Sequence, residues 1–288
     1  MKIGFWGAGR MGSPLAVNLL ARGREVTVYS RDLGRAREIA ARGAHGVATD
    51  QRRDLVPCDA LFTCLALPVH LEEGFLGEGS LYEGMEPGSI HVECSTIGPE
   101  LAGRLAKAAA ARGVGYTQAT LGKTPAVAAK AEEPIFVGGD EDVVARAWPL
   151  LEEVGRPERV GTVAASCAVK LLSNLVGMAN VAVLAEGMRI GRRAGMDPAH
   201  LLRLLADTGA HSFQMDVRGP MMAAGSFEPL FTLSLADKDM RLGTEMAHAW
   251  NLATPVLDAA KAAFAAGVSQ GLGGLDCAAL AILRTGGE

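Results

Sequence analysis

The sequence lacks the cysteine patterns that build disulfides or metal sites. Its five cysteines are scattered and odd in number, and no two of them form a Cys-x-x-Cys pair. No spacing of histidine and cysteine residues is typical of a zinc site. We therefore expect reduced thiols, no metal centre and a cytoplasmic protein.

Basic charge and targeting segments are also missing. The 288 residues carry a formal net charge of −4, so no positive field indicates nucleic-acid binding. Residues 3–6 read as a strand and Gly7 interrupts any apolar signal-peptide core, so we expect no signal peptide. No apolar stretch lacks charges for long enough to indicate a membrane span, and we expect no membrane association. With 49% apolar and 21% charged residues, the composition is that of a soluble protein with room for two domains.

The first half of the chain alternates strand-like and helix-like segments, without internal repeats or low-complexity linkers. The predicted strands are Ile3–Trp6, Glu25–Tyr29, Ala60–Leu65, Ser89–Glu93, Val114–Thr117 and Pro134–Val137. The predicted helices are Met11–Arg22, Gly34–Arg42, Pro99–Arg112 and a segment that ends near Val154. Strands separated by helices indicate a parallel, doubly wound α/β sheet of the Rossmann type.

The second half predicts helices and no strand. From Ser166 to Ala194 there is no proline and almost no polar break, which predicts a helix of roughly 43 Å at about 1.5 Å per residue. This helix is apolar around most of its circumference, so it should be buried on several sides. The further predicted helices are Pro198–Ala206, Phe231–Trp250, Pro255–Ala266 and Leu275–Leu283. We predict a Rossmann domain over residues 1–162 and an all-α domain over residues 163–288, led by the long interdomain helix.

A glycine-rich loop follows the first predicted strand and opens the first predicted helix. It reads Gly7-Ala8-Gly9-Arg10-Met11-Gly12. In such a unit the first glycine permits the tight turn, the second lets the backbone approach a pyrophosphate, and the third lets helix and strand pack closely. The free N–H groups and the dipole of the helix favour phosphate. The pattern predicts a dinucleotide site, with a glycine turn that binds no ligand as the alternative.

The second predicted strand ends without the acid that would bind the ribose 2′-hydroxyl of NAD and repel a 2′-phosphate. Ser30 and Arg31 stand there instead, and a hydroxyl beside a guanidinium suits a phosphate monoester. Arg35 lies four residues further on and is a candidate to join them. We therefore predict NADP(H). If Arg31 is only a solvated loop arginine, NAD is the alternative cofactor.

Two hydroxyl residues, Ser95 and Thr96, follow the predicted strand 89–93 and precede the helix that starts at Pro99. In a doubly wound sheet the carboxyl ends of the strands form the ligand crevice, so both hydroxyls would be offered to a ligand. Capping of the following helix is the alternative use of these residues.

The long predicted helix carries a polar strip on one face. Lys170 and Asn174 are four residues apart and share that face with small residues such as Ser173 and Gly177. A lysine near a buried domain junction is costly unless it is used or paired, and it could exchange a proton with a hydroxyl or a carbonyl oxygen. A lysine that extends its ammonium group to solvent is the alternative.

Taken in order, these motifs resemble the β-hydroxyacid dehydrogenases. This family contains 3-hydroxyisobutyrate dehydrogenase, tartronate semialdehyde reductase and glyoxylate/succinic semialdehyde reductase. The resemblance covers nearly the whole chain. Its matching positions are Gly7–Gly12 with Ala16, Asn18 and Leu19, then Ser95-Thr96 with Pro99, then Lys170 with Asn174, and finally Phe231 with Lys238-Asp239.

The resemblance implies a role for each matched residue. Lys170 is similar to the catalytic acid/base of the family, and Asn174 to the residue that holds the substrate near it. The implied substrate-binding residues are Ser95, Gly122, Lys123 and Asn174. The cofactor-binding residues, combining the glycine loop and the second strand with the resemblance, are Gly7, Ala8, Gly9, Arg10, Met11, Gly12, Ser30, Arg31, Leu65, Thr96, Phe231 and Lys238.

The implied reaction is a reversible hydride transfer between the nicotinamide of NADP(H) and a small β-hydroxy acid or semialdehyde, without a metal. The resemblance also implies a homodimer or homotetramer formed through the helical domain. One alternative is glyoxylate or succinic semialdehyde reduction within the same family. Others are an imine reductase, against which Lys170 argues, and a non-catalytic dinucleotide-sensing module.

The sequence departs from the family pattern at the substrate loop. Gly122-Lys123-Thr124 stands where the family has Ser-Gly-Gly, Glu93 stands where it usually has aspartate, and Ala164-Ala165-Ser166 replaces a glycine-rich approach to the lysine. These departures leave the substrate open. Lys123 either faces solvent or contacts a substrate carboxylate.

Overall fold

The computed structural model describes residues 1–284 and divides the chain into two compact units. The first unit is Met1–Lys170, and the second begins at Leu171. The sequence analysis places the domain boundary at 162/163 instead. The last four residues of the predicted second domain lie outside the described part of the chain.

The first unit is built on one eight-stranded sheet. Its strands are β1 (Lys2–Trp6), β2 (Glu25–Tyr29), β3 (Gly46–Thr49), β4 (Ala60–Thr63), β5 (Ile90–Glu93), β6 (Gly115–Leu121), β7 (Pro134–Gly139) and β8 (Arg156–Gly161). The spatial order is β3-β2-β1-β4-β5-β6-β7-β8. The order of the first six strands is that of a dinucleotide-binding Rossmann sheet, with its switch point between β1 and β4.

Helices cover both faces of this sheet. They are α1 (Gly12–Ala21), α2 (Leu33–Ala40), α3 (Pro68–Phe75), α4 (Pro99–Ala110), α5 (Pro125–Ala128) and α6 (Glu141–Val154), with 3₁₀ turns at Arg52–Leu55 and Leu81–Glu83. The central strands β4 and β5 are buried at every position. Two apolar clusters, one around Phe5 and Leu15 and the other around Phe75 and Leu105, fill the two faces. Burial on both faces is the reason these strands read as short continuous apolar runs.

The sequence analysis missed both outer strands, β3 and β8. Each lies at an edge of the sheet, and most β8 residues are half-exposed or exposed. An edge strand has one unpaired side and carries polar residues that blunt it, so it lacks the apolar pattern of a buried strand. The helix α3 was missed as well.

The sheet is parallel, as expected, except at one pair of strands. β7 runs antiparallel to β6, with Leu121 opposite Ile135, while β8 is parallel to β7. The only helix between β6 and β7 is α5, which has four residues and cannot carry the chain back along the sheet. The segment that precedes β7 therefore lies at the edge where β6 ends.

The second unit is helical. The helix α7 (Val163–Arg193) crosses the division between the units, and α8 (Pro198–Ala206), α9 (Phe213–Ala224), α10 (Leu233–Ala249) and α11 (Pro255–Ser269) follow. The helix predicted at Leu275–Leu283 is a 3₁₀ turn over Cys277–Ile282, and α9 was not predicted. From residue 171 to residue 284 there is no strand, only an isolated bridge between Thr232 and Asp276.

The helix α7 also meets the length and apolarity that a membrane crossing requires. It has 31 residues and mean hydropathy 1.6 over its most apolar stretch, of which 39% is buried within the protein. This corrects the expectation that no stretch of the chain is long and apolar enough. Core helices of soluble proteins satisfy the same criterion of length and apolarity.

Candidate active site

The glycine loop between β1 and α1 has the geometry that its sequence predicts. Gly7 has φ +122°, and a Cβ on it would lie 2.2 Å from the carbonyl oxygen of Cys64. A Cβ on Gly12 would lie 1.9 Å from the carbonyl oxygen of Gly7. At Gly9, by contrast, no described atom lies within 4 Å of the added Cβ. The outer glycines allow tight packing, and the middle one leaves backbone open to a ligand.

This loop fits a dinucleotide pyrophosphate. It lies after β1, beside the switch point of the sheet, where such ligands bind. The first turn of α1, within residues 12–21, contains no acidic side chain that would repel a phosphate. Ala8 is buried, Arg10 is exposed and Met11 packs on the core.

The end of β2 presents an exposed arginine. Arg31 is exposed, and the hydroxyl oxygen of Ser30 accepts from the backbone N–H of Asp32 at 3.2 Å. The carboxylate of Asp32 caps α2 by accepting from the backbone N–H of Arg35 at 3.2 Å. The one acid in this loop is therefore engaged as a helix cap.

The segments after β4 and β5 are joined by hydrogen bonds. The backbone N–H of Leu65 donates to the hydroxyl oxygen of Ser95 at 2.7 Å. The N-cap of α4 is Gly98, which makes no side-chain capping hydrogen bond. The Ser95 hydroxyl is thus engaged with the loop after β4. Ser95 is buried and Thr96 half-buried, beside the loop of Leu65.

A buried polar chain lies behind Ser95. The backbone N–H of Ser95 donates to Oε1 of Glu93 at 2.5 Å, and the Thr63 hydroxyl donates to Oε2 of Glu93 at 2.5 Å. Thr63 also contacts Nε2 of His91 at 2.7 Å, and Nδ1 of His91 contacts the Tyr82 hydroxyl at 2.8 Å. Burial raises the pKa of Glu93 to about 7, against the hydrogen bonds from Ser95 and Thr63. Burial lowers the pKa of His91 to about 3.

The connection from β6 to β7 brings Lys123 and Glu133 together. The backbone N–H of Lys123 donates to Oε1 of Glu133, while the Lys123 side chain is exposed. The N–H of Gly122 donates to the carbonyl oxygen of Pro134 at 2.9 Å. Glu133 is fully buried, and burial raises the pKa of its carboxyl, opposed by the Lys123 N–H and by the charge of Lys170.

Lys170 lies near this edge of the sheet, on the first turns of α7. Burial raises the pKa of the Cys64 thiol and the charge of Glu93 raises it further, while the charge of Lys170 lowers it. Lys170 acts on Glu133 in the same direction. The lysine is half-buried and interacts with its surroundings. The Ser166 hydroxyl, one helical turn before Lys170, donates to the carbonyl oxygen of Phe136 on β7 at 2.7 Å, so the first turns of α7 pack along that strand and Lys170 lies one turn further on.

The second unit holds a buried charged cluster. Nδ2 of Asn174 donates to Oδ2 of Asp239 at 2.5 Å, and Nζ of Lys238 lies 2.8 Å from Oδ1 of Asp239. Lys238 and Asp239 are 8% and 2% exposed, so they are not an exposed surface pair. Phe231 is half-buried, and its N–H donates to Asp276 at 2.9 Å. Asp239 positions both Asn174 and Lys238.

All five cysteines are free thiols, and burial raises the pKa of each. Protonated, buried thiols are poor nucleophiles and poor metal ligands. Within residues 1–284, no group of three or more histidine, cysteine, aspartate or glutamate residues is arranged to hold a metal ion.

The sequence analysis assigned no role to Glu133 or to Asp239. Glu133 was missed because a fully parallel sheet would put the residue before a strand at the opposite edge. Asp239 was matched only as part of the Lys238-Asp239 pair, since its contact with Asn174 joins positions 65 residues apart. No pattern in one sequence reports either contact.

The sheet order and the glycine loop define a dinucleotide-binding protein of the Rossmann class. Comparison with known families agrees with this. Residues 2–170 match the NAD-binding domain of 6-phosphogluconate dehydrogenase. Residues 164–283 match the NAD-binding segment of NADP-dependent 3-hydroxyisobutyrate dehydrogenase.

Individual relatives match along almost the whole chain. A 2-(hydroxymethyl)glutarate dehydrogenase of Eubacterium barkeri is 31% identical over 284 residues, which cover 97% of this chain and 93% of the relative. The chloroplastic glyoxylate/succinic semialdehyde reductase 2 of Arabidopsis thaliana is 27% identical, with 97% and 78% covered. A solved structure of 3-hydroxyisobutyrate dehydrogenase from Salmonella typhimurium superposes with a TM-score of 0.90 at 23% identity, with 99% and 100% covered. The chain belongs to the β-hydroxyacid dehydrogenase family, whose members are NAD(P)-dependent oxidoreductases.

Proposed function

We propose that this protein is an NADP(H)-preferring oxidoreductase that interconverts a small β-hydroxy acid and the corresponding semialdehyde, with Lys170 as the acid/base. The observation that carries the proposal is the position of Lys170. Its charge acts on both Cys64 and Glu133, at the edge of the sheet that also bears the glycine loop. A lysine at the ligand crevice of a dinucleotide fold is suited to exchange a proton with a substrate oxygen.

The proton moves between Lys170 and the substrate oxygen. In oxidation the neutral amine of Lys170 accepts the proton of the substrate hydroxyl while the carbinol C–H bond breaks and the carbonyl forms. In reduction the ammonium of Lys170 donates a proton to the carbonyl oxygen while its carbon gains the hydride. When bound, the nicotinamide supplies the hydride acceptor or donor.

The cofactor preference rests on Ser30 and Arg31. The open backbone at Gly9 accommodates the pyrophosphate, and the exposed Arg31 is available to the 2′-phosphate. Asp32, the acid that would otherwise face the ribose, is engaged as the cap of α2. We therefore place NADP(H) ahead of NAD(H).

We propose that the substrate binds at the segments that follow β5 and β6. Ser95 supplies a hydroxyl, and Gly122 and Lys123 line the connection to β7. The backbone N–H of Lys123 is already bonded to Glu133, so the contribution of Lys123 to the substrate would come from its exposed side chain. That side chain would attract the carboxylate of a small or doubly acidic substrate.

The free thiols suit a reducing compartment, so we place the protein in the cytoplasm. We further propose a homo-oligomer formed through the helical unit. Exposed apolar side chains on α7 support this, because large apolar patches on a surface commonly mark interfaces.

Turnover and a Lys170 variant test the proposal together. NADPH oxidation is followed with succinic semialdehyde, glyoxylate and methylmalonate semialdehyde. We expect Lys170→Ala to lower kcat by about 10²–10⁴, the usual share of acid–base catalysis, with NADPH affinity retained. Lys130→Ala, at an exposed lysine of the same unit, is the control. Binding of NADPH without turnover of any substrate would favour a sensing module, and an unchanged Lys170→Ala enzyme would assign the lysine a structural role.

A further inference from the structure

Glu133 is a fully buried carboxyl group at the edge of the sheet where the cofactor loop lies. It directly precedes β7, and the antiparallel direction of β7 brings it beside the end of β6. Its backbone is fixed, because its carbonyl oxygen accepts from the N–H of Arg156 at 2.7 Å. A Cβ on Gly155 would lie only 2.4 Å from the same oxygen, so the chain packs closely there.

The two carboxylate oxygens of Glu133 have different surroundings. Oε1 accepts from the backbone N–H of Lys123 and so ties the substrate loop to β7. Oε2 is buried and has no hydrogen-bond partner among the described residues. A buried acceptor without a hydrogen bond costs about 1–3 kcal/mol, and more when it is charged. The hydrogen bond from the N–H of Lys123 to Oε1 therefore does not by itself explain why a carboxylate is buried here.

Positive charge compensates this carboxylate. The charges of Lys170 and Lys123 both stabilise the ionised form of Glu133, and the N–H of Gly122 adds to them. At the end of the neighbouring strand β4, the pKa of the Cys64 thiol is raised by burial and by the charges of Glu93 and Glu133, and it is lowered by the charge of Lys170. The titratable groups that interact with Glu133 are therefore Lys170 on α7, Lys123 after β6 and Cys64 after β4, while Glu93 on β5 interacts with Cys64.

We propose that Glu133 is a positioning residue that acts through Lys170: its carboxylate keeps the Lys170 ammonium protonated near neutral pH and so favours reduction over oxidation. The inference deepens the proposed function and rests on it. Electrostatic attraction is mutual, so the lysine that stabilises the Glu133 carboxylate is itself held in its charged form. Reduction uses the protonated lysine and oxidation uses the neutral one.

The substitution Glu133→Gln tests this with little change of shape. The amide oxygen of glutamine still accepts from the N–H of Lys123, but the negative charge is lost. Without that charge the ammonium form of Lys170 is less favoured. The midpoints of the pH profiles of kcat/KM in both directions should then move to lower pH by about one unit, the lower end of the effect of a neighbouring charge.

Glu132→Gln is the matched control, since Glu132 is the adjacent glutamate and is exposed. It should leave both profiles unchanged. Glu93, whose pKa lies at about 7, titrates in the same range but is present in all three proteins, so the comparison removes its contribution. If Glu133→Gln lowers the plateau of the kcat/KM profile but leaves its midpoints at the same pH, the proposal is wrong. Glu133 would then only hold the loop of Lys123 in place.

A titration without substrate separates this inference from the proposed function. The lysines are labelled by reductive ¹³C-methylation, the Lys170 resonance is assigned with Lys170→Arg, and its midpoint is measured by NMR. We expect a lower midpoint in Glu133→Gln than in the wild type. An equal midpoint refutes the role of Glu133 even in an active enzyme. A lowered midpoint in a protein that reduces none of the semialdehydes refutes only the proposed reaction.

Discussion

At the scale of single residues, charged groups around the edge of the sheet are the basis of both the proposed cofactor preference and the proposed proton transfer. Arg31 stands free after β2, while the nearby Asp32 caps α2. Lys170 faces two strand ends, and Glu93 and Glu133 are buried acids with raised pKa values. Each of these groups can be changed singly, so each makes a separate prediction.

The first prediction concerns Arg31. We expect Arg31→Ala to weaken NADPH binding by roughly 10- to 150-fold, because an arginine–phosphate contact is worth about 1.5–3 kcal/mol. NADH binding should be almost unchanged, since NADH lacks the 2′-phosphate. Fluorescence titration with both cofactors measures this, with Arg37→Ala at another exposed arginine as the control. An equal loss for the two cofactors would contradict the assignment.

The second prediction concerns the pH dependence of stability. The pKa of Glu93 is raised to about 7 in the folded protein, so the folded state binds this proton more tightly than the unfolded state. Its contribution to stability is therefore complete below about pH 4.5 and falls as the pH rises through 7. His91 acts oppositely: its pKa is lowered to about 3, so its contribution is lost as the pH falls below about 6.5.

Replacing Glu93 isolates its part. We compare the free energy of unfolding of Glu93→Gln with that of the wild type at two pH values. The difference in favour of the variant should be about 2–3 kcal/mol larger at pH 8 than at pH 5, because only the wild type has a Glu93 carboxyl group with a shifted pKa. The His91 contribution is common to both proteins and cancels. Urea unfolding at the two pH values gives the difference. If the stability difference between the two proteins does not change with pH, Glu93 has an ordinary pKa.

At the scale of elements, the β1–α1 unit shows why a motif needs its context. The three glycines look alike in sequence, but the close contacts occur at Gly7 and Gly12 and not at Gly9. The first and third glycines serve the packing of the protein itself. The second leaves the backbone open, and we propose that the dinucleotide occupies this space.

This difference gives the third prediction. We expect Gly12→Ala to destabilise the protein by about 1–3 kcal/mol, because its Cβ would overlap the carbonyl oxygen of Gly7. Gly9→Ala should have the same unfolding temperature as the wild type. Its affinity for NADPH should be lower by a factor of about ten or more, because the added Cβ would occupy space that the ligand needs. Thermal unfolding and cofactor titration separate the two variants. Equal losses of stability would mean that Gly9 is also needed for packing.

At the scale of the whole molecule, α7 presents an apolar stripe to solvent. We define the α7 stripe as Leu172, Val176, Val183 and Ile190, which are 52% to 70% exposed. At about 100° per residue, these four positions lie within roughly 40° of one another around the helix. A narrow apolar row on an exposed helix is suited to pack against a second copy of the chain.

The fourth prediction is that this stripe holds the oligomer together. The double substitution Val183→Glu and Ile190→Glu should convert the protein to monomers of 29.9 kDa, because each buried aliphatic side chain contributes about 1.5–3 kcal/mol. Light scattering after gel filtration measures the mass. Val256→Glu, at an equally exposed valine on α11, should leave the assembly intact. A wild-type protein that is already monomeric would refute the proposal.

The sequence by itself determined what depends on local pattern. The glycine loop, the alternation of strands and helices and the long helix around Lys170 all arise from residues close in the chain, where spacing fixes which side chains share a face. These features also sufficed to indicate the family. The presence of Ser30 and Arg31 after β2, in place of an acid, could be recognised from the sequence for the same reason.

Only the tertiary structure decided the remainder. The direction of β7 depends on its pairing with β6. This antiparallel pairing puts Glu133 at the edge of the sheet where β6 ends. The contact of Asp239 with Asn174 joins two distant helices and makes an apparent surface pair a buried one. Both outcomes depend on long-range packing, in which burial and hydrogen-bond satisfaction override local preference.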